Sequence, residues 1–364
     1  MRILFISQGR DETTQVGYDL AWRNAVSEGQ KVEVRNIPWM GVSEREGWKA
    51  LWNEILRVNS EFEPALVFFQ RFHSGEPESP RACVAKLRQA KNHPLIFADL
   101  GDPFQPYPCR IWVRPFPRAI VELAQDADIL FMSSLGDAAG WLQKQGARRI
   151  ELLPLAFSNY HFPDWAEPVS EHPDFDVVML GGICIQRRHP ISTLTHIHYR
   201  YDTARRLLKR YGKKFGLFGG GWRGFPACQG SVGFRDQVSL FKRARICVDA
   251  RPPIVDDYYC SNRPFYIAGS GSTLVQYYMP RLEDLLEEGK HSHFVRRPQD
   301  LIKVCDSLLE CDPAALRAIG RETQKFIQEH HTTDKRVDTI ISYAEHLKDP
   351  SVPLRLWHLK DFNH

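Results

Sequence analysis

The sequence predicts an α/β protein built from two doubly wound domains that face a cleft. Short apolar runs of the β type alternate with longer segments of helical period, which is typical of βαβ units around a parallel sheet. The alternation stops once, at a stretch rich in Pro, Asp and Glu, and then begins again. A chain of 364 residues with 43% hydrophobic content is long enough to form two packed domains.

The first domain is expected over residues 1–157. It opens with the strand RILFIS at 2–7, followed by a helical stretch around 17–28. Amphipathic segments separate most of the later strand-like runs, as a doubly wound sheet requires. Those runs are KVEVRNI (31–37), ALVFFQ (65–70), LIFADL (95–100), DILFMSS (128–134) and RIELLPL (149–155).

The second domain is expected over residues 175–335, after a linker at 158–174 that shows no sustained period. A last helix and tail occupy 336–364. Ligands of such folds bind at the carboxyl ends of the strands. The elements of this half are the strands FDVVMLGG (175–182), KFGLFGGG (214–221), RICVDA (245–250) and TLVQYY (273–278), and the helices near 191–211, 298–310, 313–330 and 335–347.

Bulk properties exclude several classes of protein. No apolar run reaches the roughly 18 residues of a membrane helix. The N-terminus MRILFISQGR breaks at Gln8, unlike a signal peptide, so a cytoplasmic protein without a membrane span is expected. Eight cysteines without a CxxC pair fit neither a disulfide framework nor a zinc site. A net charge of +4 permits an anionic partner such as a nucleotide or DNA.

The start of the second domain carries the strongest candidate for a phosphate site. Its first strand ends in Gly181-Gly182, and Arg187 and Arg188 follow within a few residues. Glycines let backbone N–H groups approach a diphosphate, and guanidinium groups neutralise its charge. A tight turn with two solvated arginines explains the same residues equally well.

A second cationic position is predicted in CSNRPFYIAGSGSTLVQ, where Ser261, Asn262 and Arg263 begin a short helix. Arg263 could contact the same diphosphate. The segment also fits a helix capped by Ser261 at its start and by Gly269 or Gly271 at its end, and the two interpretations are compatible.

Aromatic residues follow the glycines of LFGGGWRGFP at 217–226. A nucleobase or sugar could pack against Trp222 or Phe225, although aromatic residues after a glycine turn more often serve packing.

In the first domain, FADLGDPFQPYP (97–108) places Asp99 and Asp102 at the carboxyl end of a strand. A carboxylate there could act as a general base toward an acceptor hydroxyl. The alternative is that one of them only caps a turn before Pro103. The pairs His196/His198 and His291/His293 lack a third ligand at metal spacing, so no metal is assigned.

This layout resembles the GT-B glycosyltransferases, which have two Rossmann-like domains and bind a nucleotide-sugar mainly through the second. The resemblance covers nearly the whole chain. SNRPFYIAGSGSTLVQYYMPRLEDLLEEGKHSHFVRRPQDL is similar to the C-terminal domain of the spore-maturation (CgeB-type) glycosyltransferases, and QEHHTTDKRVDTII (328–341) to its closing helix. By the same analogy, the tail crosses back to the first domain.

A fainter similarity connects the chain with phage DNA β-glucosyltransferases. Asp99 matches their catalytic aspartate, Gly181-Gly182 with Arg187 or Arg188 their diphosphate turn, and Arg263 their second diphosphate arginine. In both families a glutamate in the following helix binds the donor ribose. Tyr266 stands at that position, and a phenol cannot grip two hydroxyls as a carboxylate does.

These resemblances imply a glycosyltransferase with a nucleotide-sugar, expected to be UDP-linked, as co-substrate and no other cofactor. If Asp99 is the base, direct attack inverts the anomeric centre, and the arginines stabilise the leaving diphosphate without a metal. The acceptor could be a 5-hydroxymethyl-pyrimidine in DNA, or a glycan, protein or small-molecule hydroxyl. A non-catalytic sugar-nucleotide-binding protein is the alternative that Tyr266 favours.

Overall fold

A computed structural model describes residues 1–11, 16–71, 78–101, 116–183, 190–222, 224–250 and 256–357, without the side chains of Val16 and residues 190–196. The described residues form two compact units. The first contains residues 1–101, 116–154 and 332–357, and the second contains residues 155–331.

The first unit contains a six-stranded sheet in the order β4-β1-β5-β6-β7-β8, and every neighbouring pair is parallel. From β1 the chain adds β4 on one side of the sheet, and it then adds β5 to β8 on the other side. The switch point therefore lies between β1 and β5. The elements are β1 (Arg2–Ser7), α1 (Val16–Asn24), β2 (Val26–Ser27), β3 (Gln30–Lys31), β4 (Glu33–Pro38), α2 (Trp39–Glu46), α3 (Trp48–Phe62), β5 (Leu66–Gln70), α4 (Arg81–Gln89), β6 (Leu95–Asp99), α5 (Arg118–Asp126), β7 (Ile129–Met132), α6 (Asp137–Lys144) and β8 (Ile150–Leu152).

The second unit has a parallel sheet in the order β10-β9-β11-β12-β13, with its switch point between β9 and β11. Its helices and strands are β9 (Phe175–Leu180), α7 (Pro190–Tyr211), β10 (Phe215–Phe218), α8 (Gln237–Phe241), β11 (Ala244–Asp249), α9 (Asn262–Gly269), β12 (Thr273–Tyr277), β13 (His293–Val295), α10 (Leu301–Leu309) and α11 (Pro313–His330). The last helix, α12 (Thr333–Lys348), belongs to the first unit.

The predicted fold class is confirmed: both sheets are parallel and carry helices, as in GT-B proteins. The strands are buried on both faces, as β5 shows with all five residues buried, and this explains why they appear in the sequence as continuous apolar runs. Helices such as α3 bury one stripe, Leu51, Ile55, Val58 and Phe62. No helix in the described part of the chain is long and apolar enough to cross a membrane.

Residues 158–174, expected to be a linker, lie within the second unit. The Lys242 ammonium donates to the carbonyls of Asp164 and Trp165, and the Ser170 N–H donates to the carbonyl of Lys242. In the first unit, Arg336 of α12 is fully buried and donates from Nε to the Pro154 carbonyl at 2.6 Å.

Helix α9 ends in a Schellman motif that fixes the approach of α11. Gly271 has φ +80°, and the N–H groups of Gly271 and Ser272 donate to the carbonyls of Ala268 and Ile267. Gly320 of α11 lies directly on this turn, because a Cβ added to Gly320 would sit 1.9 Å from the Gly271 carbonyl oxygen. The two backbones can only pack this closely without a side chain at 320.

Replacing Gly320 with alanine should therefore lower the free energy of unfolding by about 1–3 kcal/mol, the usual cost of overpacking. The matched control is Gly140→Ala in α6, where a new Cβ meets no atom within 4 Å. That change should raise stability by up to about 1 kcal/mol, because alanine is the better helix former. Urea denaturation measures both, and equal effects of the two changes would contradict the packing described.

Candidate functional site

The carboxyl edge of the second sheet is shaped by glycine turns after β9 and β10. The N–H groups of Gly181 and Ile183 donate to the carbonyls of Phe218 and Gly220 at 2.9 and 2.8 Å. Gly219 has φ +133°, and a Cβ there would lie 2.5 Å from the Gly181 oxygen. The glycines thus let the backbone turns after β9 and β10 pack against each other, next to the switch point between β9 and β11.

A buried arginine joins the two strands of the switch point. Arg200 of α7, 8% exposed, donates from Nη1 to the Gly182 carbonyl and from Nε to the Ala250 carbonyl. The sequence analysis missed this residue. Its position in the sequence is a detectable signal, because the spacing of Arg200, Ala204 and Leu207 places all three on the helix face that enters the core.

Arg263 lies at the same edge, in the first turn of α9. Its Nη1 donates to Asp249 Oδ1, 3.0 Å away at the end of β11, and the Arg263 side chain is 20% exposed whereas that of Asp249 is 2% exposed. The Arg263 Nε–H is buried and has no hydrogen-bond partner among the described residues. Asp249 therefore holds one arm of a guanidinium group whose Nε–H still lacks an acceptor.

Ser261 occupies the N-cap position of α9, but its hydroxyl does not cap the helix. No side-chain capping bond forms, and the buried Ser261 Oγ has no partner in the described part of the chain. The amino end of α9 consequently presents Ser261, Asn262 and Arg263 with unused hydrogen-bonding capacity and a positive dipole end. The predicted glycine cap at the other end is present as Gly271.

Trp222, the first of two aromatic candidates, is buried by packing. Trp222 is 4% exposed, its indole N–H donates to the Gly181 carbonyl at 2.6 Å, and its ring contacts Tyr201 and Phe225. Trp222 thus stabilises the glycine turn by packing and by this hydrogen bond, in agreement with the packing interpretation of the sequence.

Tyr266 is 7% exposed and lies three residues after Arg263 in α9. Its ring packs edge-on against Phe162, Phe157 and Phe234, with centroids 4.9, 6.3 and 5.8 Å away. Phe234 is itself 46% exposed, so the aromatic cluster reaches the surface.

Asp99 ends β6 at the carboxyl edge of the first sheet. The carboxylate is 3% exposed, and its Oδ1 accepts the Gly101 N–H at 2.7 Å. Gly101 has φ +65°, and a Cβ there would press on the Arg71 side chain. The turn-capping alternative is therefore present in the structure, and it holds the Asp99 carboxyl in a fixed orientation.

The charge of the Asp99 carboxylate acts on the phenol of Tyr18 in α1. Burial first, and then the Asp99 charge, raise the pKa of Tyr18 to about 12, while Arg71 and Arg336 act in the opposite direction. Asp99, Tyr18 and two arginines thus share one electrostatic environment within the first unit.

Neighbouring strand ends supply further polar groups that sequence reasoning missed. Gln70, fully buried, is the register partner of Asp99 and accepts the Gln8 N–H through Oε1 at 3.3 Å. Its Nε2 and the Oγ of Ser134 are buried without a partner among the described residues. A glutamine that closes an otherwise apolar strand, ALVFFQ, is the sequence signal for this position.

Several predicted residues lie outside the described ranges, namely Arg187, Arg188 and Asp102. The His196 side chain also lies outside the described part of the structure. Within the described residues, no three side chains of His, Cys, Asp or Glu converge in a way that could hold a metal ion.

Comparison with known proteins supports the fold. Residues 200–342 match a family described as "Glycosyl transferase-like". No curated protein is significantly similar to this sequence.

Solved structures align over nearly the whole chain at low identity. Sucrose-phosphate synthase from Thermosynechococcus elongatus is 13% identical, with a TM-score of 0.58 over 96% of this chain and 100% of its own. The Anabaena protein Alr3699/HepE, in complex with UDP and glucose, is 12% identical, with a TM-score of 0.57 over 96% and 99%. A mutant of T4 phage BGT with UDP-glucose is 11% identical, with a TM-score of 0.53 over 97% and 100%. At this identity the likeness establishes the fold.

His291 of the second predicted histidine pair is a packed, neutral ring. It stacks on Phe326 with centroids 3.8 Å apart, and its Nδ1 accepts the Glu287 N–H at 3.3 Å. Burial lowers its pKa to about 4; the charges of Lys290 and His330 lower it as well, and Glu287 opposes them.

In the unfolded chain, His291 therefore binds a proton near pH 6.5, whereas in the folded protein it binds one only near pH 4. Stability contributed by neutral His291 is complete above pH 6.5 and is lost on acidification toward pH 4. Replacing His291 with Phe should reduce the slope of unfolding free energy against pH in this window by up to about 1.4 kcal/mol per pH unit, the value for one proton. Urea titrations at several pH values measure the slope, and an unchanged slope would contradict the assignment.

Proposed function

We propose that the protein is a glycosyltransferase that transfers a sugar from a UDP-sugar to a hydroxyl acceptor. The observation that carries the proposal is the switch-point edge of the second unit. There, glycine turns, the uncapped amino end of α9 and the Arg263 guanidinium offer backbone and side-chain donors at the place where doubly wound sheets bind ligands. The match of residues 200–342 to a glycosyl transferase-like family supports it.

In this proposal the diphosphate of the donor binds at Gly181, Gly182 and the first turn of α9. Arg263 supplies Nε–H, and Ser261 supplies its unpartnered hydroxyl. Arg187 and Arg188 follow the glycine turn in sequence and add positive charge. Guanidinium groups and a helix amino end can neutralise a leaving diphosphate, so the reaction is proposed to proceed without a metal ion.

Asp99 is proposed as the general base. Its carboxylate takes the proton of the acceptor hydroxyl while that oxygen forms a bond to the anomeric carbon. The bond from this carbon to the UDP oxygen breaks at the same time, and the negative charge leaves on the diphosphate. Attack from the opposite face inverts the anomeric centre. The fixed orientation of the carboxyl by the Gly101 N–H favours this role.

Tyr266 bears on the choice of donor. In the resembling families a glutamate at this place binds the ribose, whereas the Tyr266 ring packs into an aromatic cluster. We propose that the Tyr266 hydroxyl forms at most one hydrogen bond to the ribose, and that other groups hold the ribose if this bond is absent. The CgeB-type subgroup remains our proposal for the C-terminal half on the basis of the segment that contains Tyr266.

The acceptor classes differ in charge. In the first unit, described arginines such as Arg57, Arg88 and Arg118 lie within 3 Å of a carboxylate. Such pairs neutralise a surface locally, which favours an uncharged acceptor, such as a glycan or small-molecule hydroxyl, over the polyanionic backbone of DNA. DNA carrying a hydroxymethyl-pyrimidine stays the second candidate because of the resemblance at Asp99.

Replacing Asp99 with Asn tests the base. Asparagine keeps an oxygen for the Gly101 N–H but cannot take a proton, so transfer should fall by about 100-fold or more while UDP-sugar binding persists. Asp137→Asn, an exposed change in the same unit, is the control. Mass spectrometry of the product and calorimetry of donor binding give the two readouts. Unimpaired transfer would remove Asp99 from the mechanism, and donor binding without transfer in the wild type would favour the non-catalytic alternative.

Salt dependence separates the acceptor classes. If hydroxymethylated DNA is the acceptor, its affinity should fall steeply as salt rises from about 50 to 200 mM, because bound phosphates release counterions. The proposal of an uncharged acceptor predicts weak DNA binding and glycan or small-molecule transfer that salt hardly changes. Fluorescence anisotropy with labelled duplex measures the first quantity, and tight, salt-sensitive binding would reverse our preference.

A further inference from the structure

We propose that the second unit contains a separate binding site for an organic oxyanion, a phosphate or carboxylate on a compact apolar body. The site is a cavity of about 180 Å³ that continues into a recess of about 400 Å³. The two share Val169, Ser170, Glu171, Gly271 and Arg317 in their walls. This space far exceeds the roughly 15 Å³ that admits one water molecule.

The cavity lies at the amino edge of the sheet. Ala244 and Thr273, which line it, are the first residues of β11 and β12. Gly181, Asp249 and Arg263 are at the opposite, carboxyl edge, so the cavity is not part of the proposed donor site. Helix α9 runs between the two edges and ends at the Gly271 turn in the cavity wall.

Two arginines without an ion pair among the described residues define its chemistry. Arg317 and Arg321 are one turn apart on α11, and neither has an ion pair within the described residues. Arg245 also lines the cavity: its Nη1 lies 3.8 Å from Asp176 Oδ1 and its Nη2 donates to the Leu309 carbonyl, whereas its buried Nε–H lacks a partner among the same residues. Such groups bind phosphate and carboxylate through paired N–H donors.

The arginines are carried by a helix that cannot shift freely. Gly320, between them, packs on the Gly271 carbonyl, and Gln324 Nε2 donates to the carbonyls of Trp165 and Gly269 at 2.7 and 3.1 Å. These contacts hold α11 against the turn that follows α9 and against the segment around Trp165. The site is thus organised before a ligand arrives, which lowers the cost of binding.

The remaining walls select for an apolar body. Val169, Pro173, Ala244 and Leu316 line the inner cavity beside the arginines. Glu167 and Glu171 also line the recess and would repel a polyanion such as a nucleic acid. A small monoanion or dianion with an apolar portion satisfies both sets of groups.

Phenyl phosphate is a suitable probe, with phenol and inorganic phosphate as comparisons, titrated by calorimetry into the intact protein. We expect saturable phenyl phosphate binding, weaker binding of inorganic phosphate and none of phenol. The double variant Arg317→Gln/Arg321→Gln should weaken phenyl phosphate binding by about tenfold or more, since it removes two charge-assisted contacts. Both side chains are free of ion pairs in the described part of the chain, and circular dichroism verifies that the variant folds.

Two controls locate the binding. Lys325→Gln removes one positive charge from α11 outside the cavity walls, and Arg263→Gln removes the cation of the opposite edge. Each should leave phenyl phosphate affinity within about twofold, a change below 0.5 kcal/mol. Loss of binding in Arg263→Gln with retention in the double variant would overturn the proposal, as would absence of saturation. Equal affinity for inorganic and phenyl phosphate would overturn the assignment of an organic ligand.

Discussion

The candidate donor site depends on one buried guanidinium. Arg200 donates to the carbonyls of Gly182 and Ala250, which follow β9 and β11, the two strands of the switch point. A buried charge is costly unless hydrogen bonds satisfy it, so both strand ends are held where this side chain can reach them. The glycine turn and Asp249 are thereby fixed, and Asp249 in turn holds Arg263.

The carboxyl edges of the two units present different chemical groups. The second presents the Arg263 guanidinium and the amino end of a helix, which suit an anionic ligand. The first presents the Asp99 carboxylate beside the amide of Gln70, which suit a hydroxyl that must lose a proton. A group-transfer reaction from an activated phosphate ester needs both properties. This division of chemistry, more than any single residue, is the physical basis of the proposal.

The sequence predicted most of the fold because its strands are buried on both faces. RILFIS and TLVQYY coincide with β1 and β12 within a residue, and the helix at 313–330 coincides with α11. The strand β13 was not predicted, since its three residues, His293–Val295, are too few to show a period. The hairpin of β2 and β3 was missed for the same reason.

The site was harder to predict than the fold. Arg263 and Asp99 could be singled out because each stands next to an apolar run and a glycine. Arg200 and Gln70 were missed although each left a local signal, since their importance comes from strands that pair across the sheet, far apart in sequence. Trp222 and Tyr266 were predicted to contact the donor, and that prediction stands; the structure adds that both rings are packed, Trp222 against the glycine turn and Tyr266 in an aromatic cluster.

A crystal structure of the protein with UDP tests the central claim most directly. The account predicts diphosphate oxygens within hydrogen-bond distance of the Arg263 guanidinium and the backbone at Ser261 to Arg263, next to the Gly181-Gly182 turn. UDP bound elsewhere, for example in the arginine-lined cavity at the amino edge, or no UDP at concentrations that saturate other UDP-sugar enzymes, would contradict it.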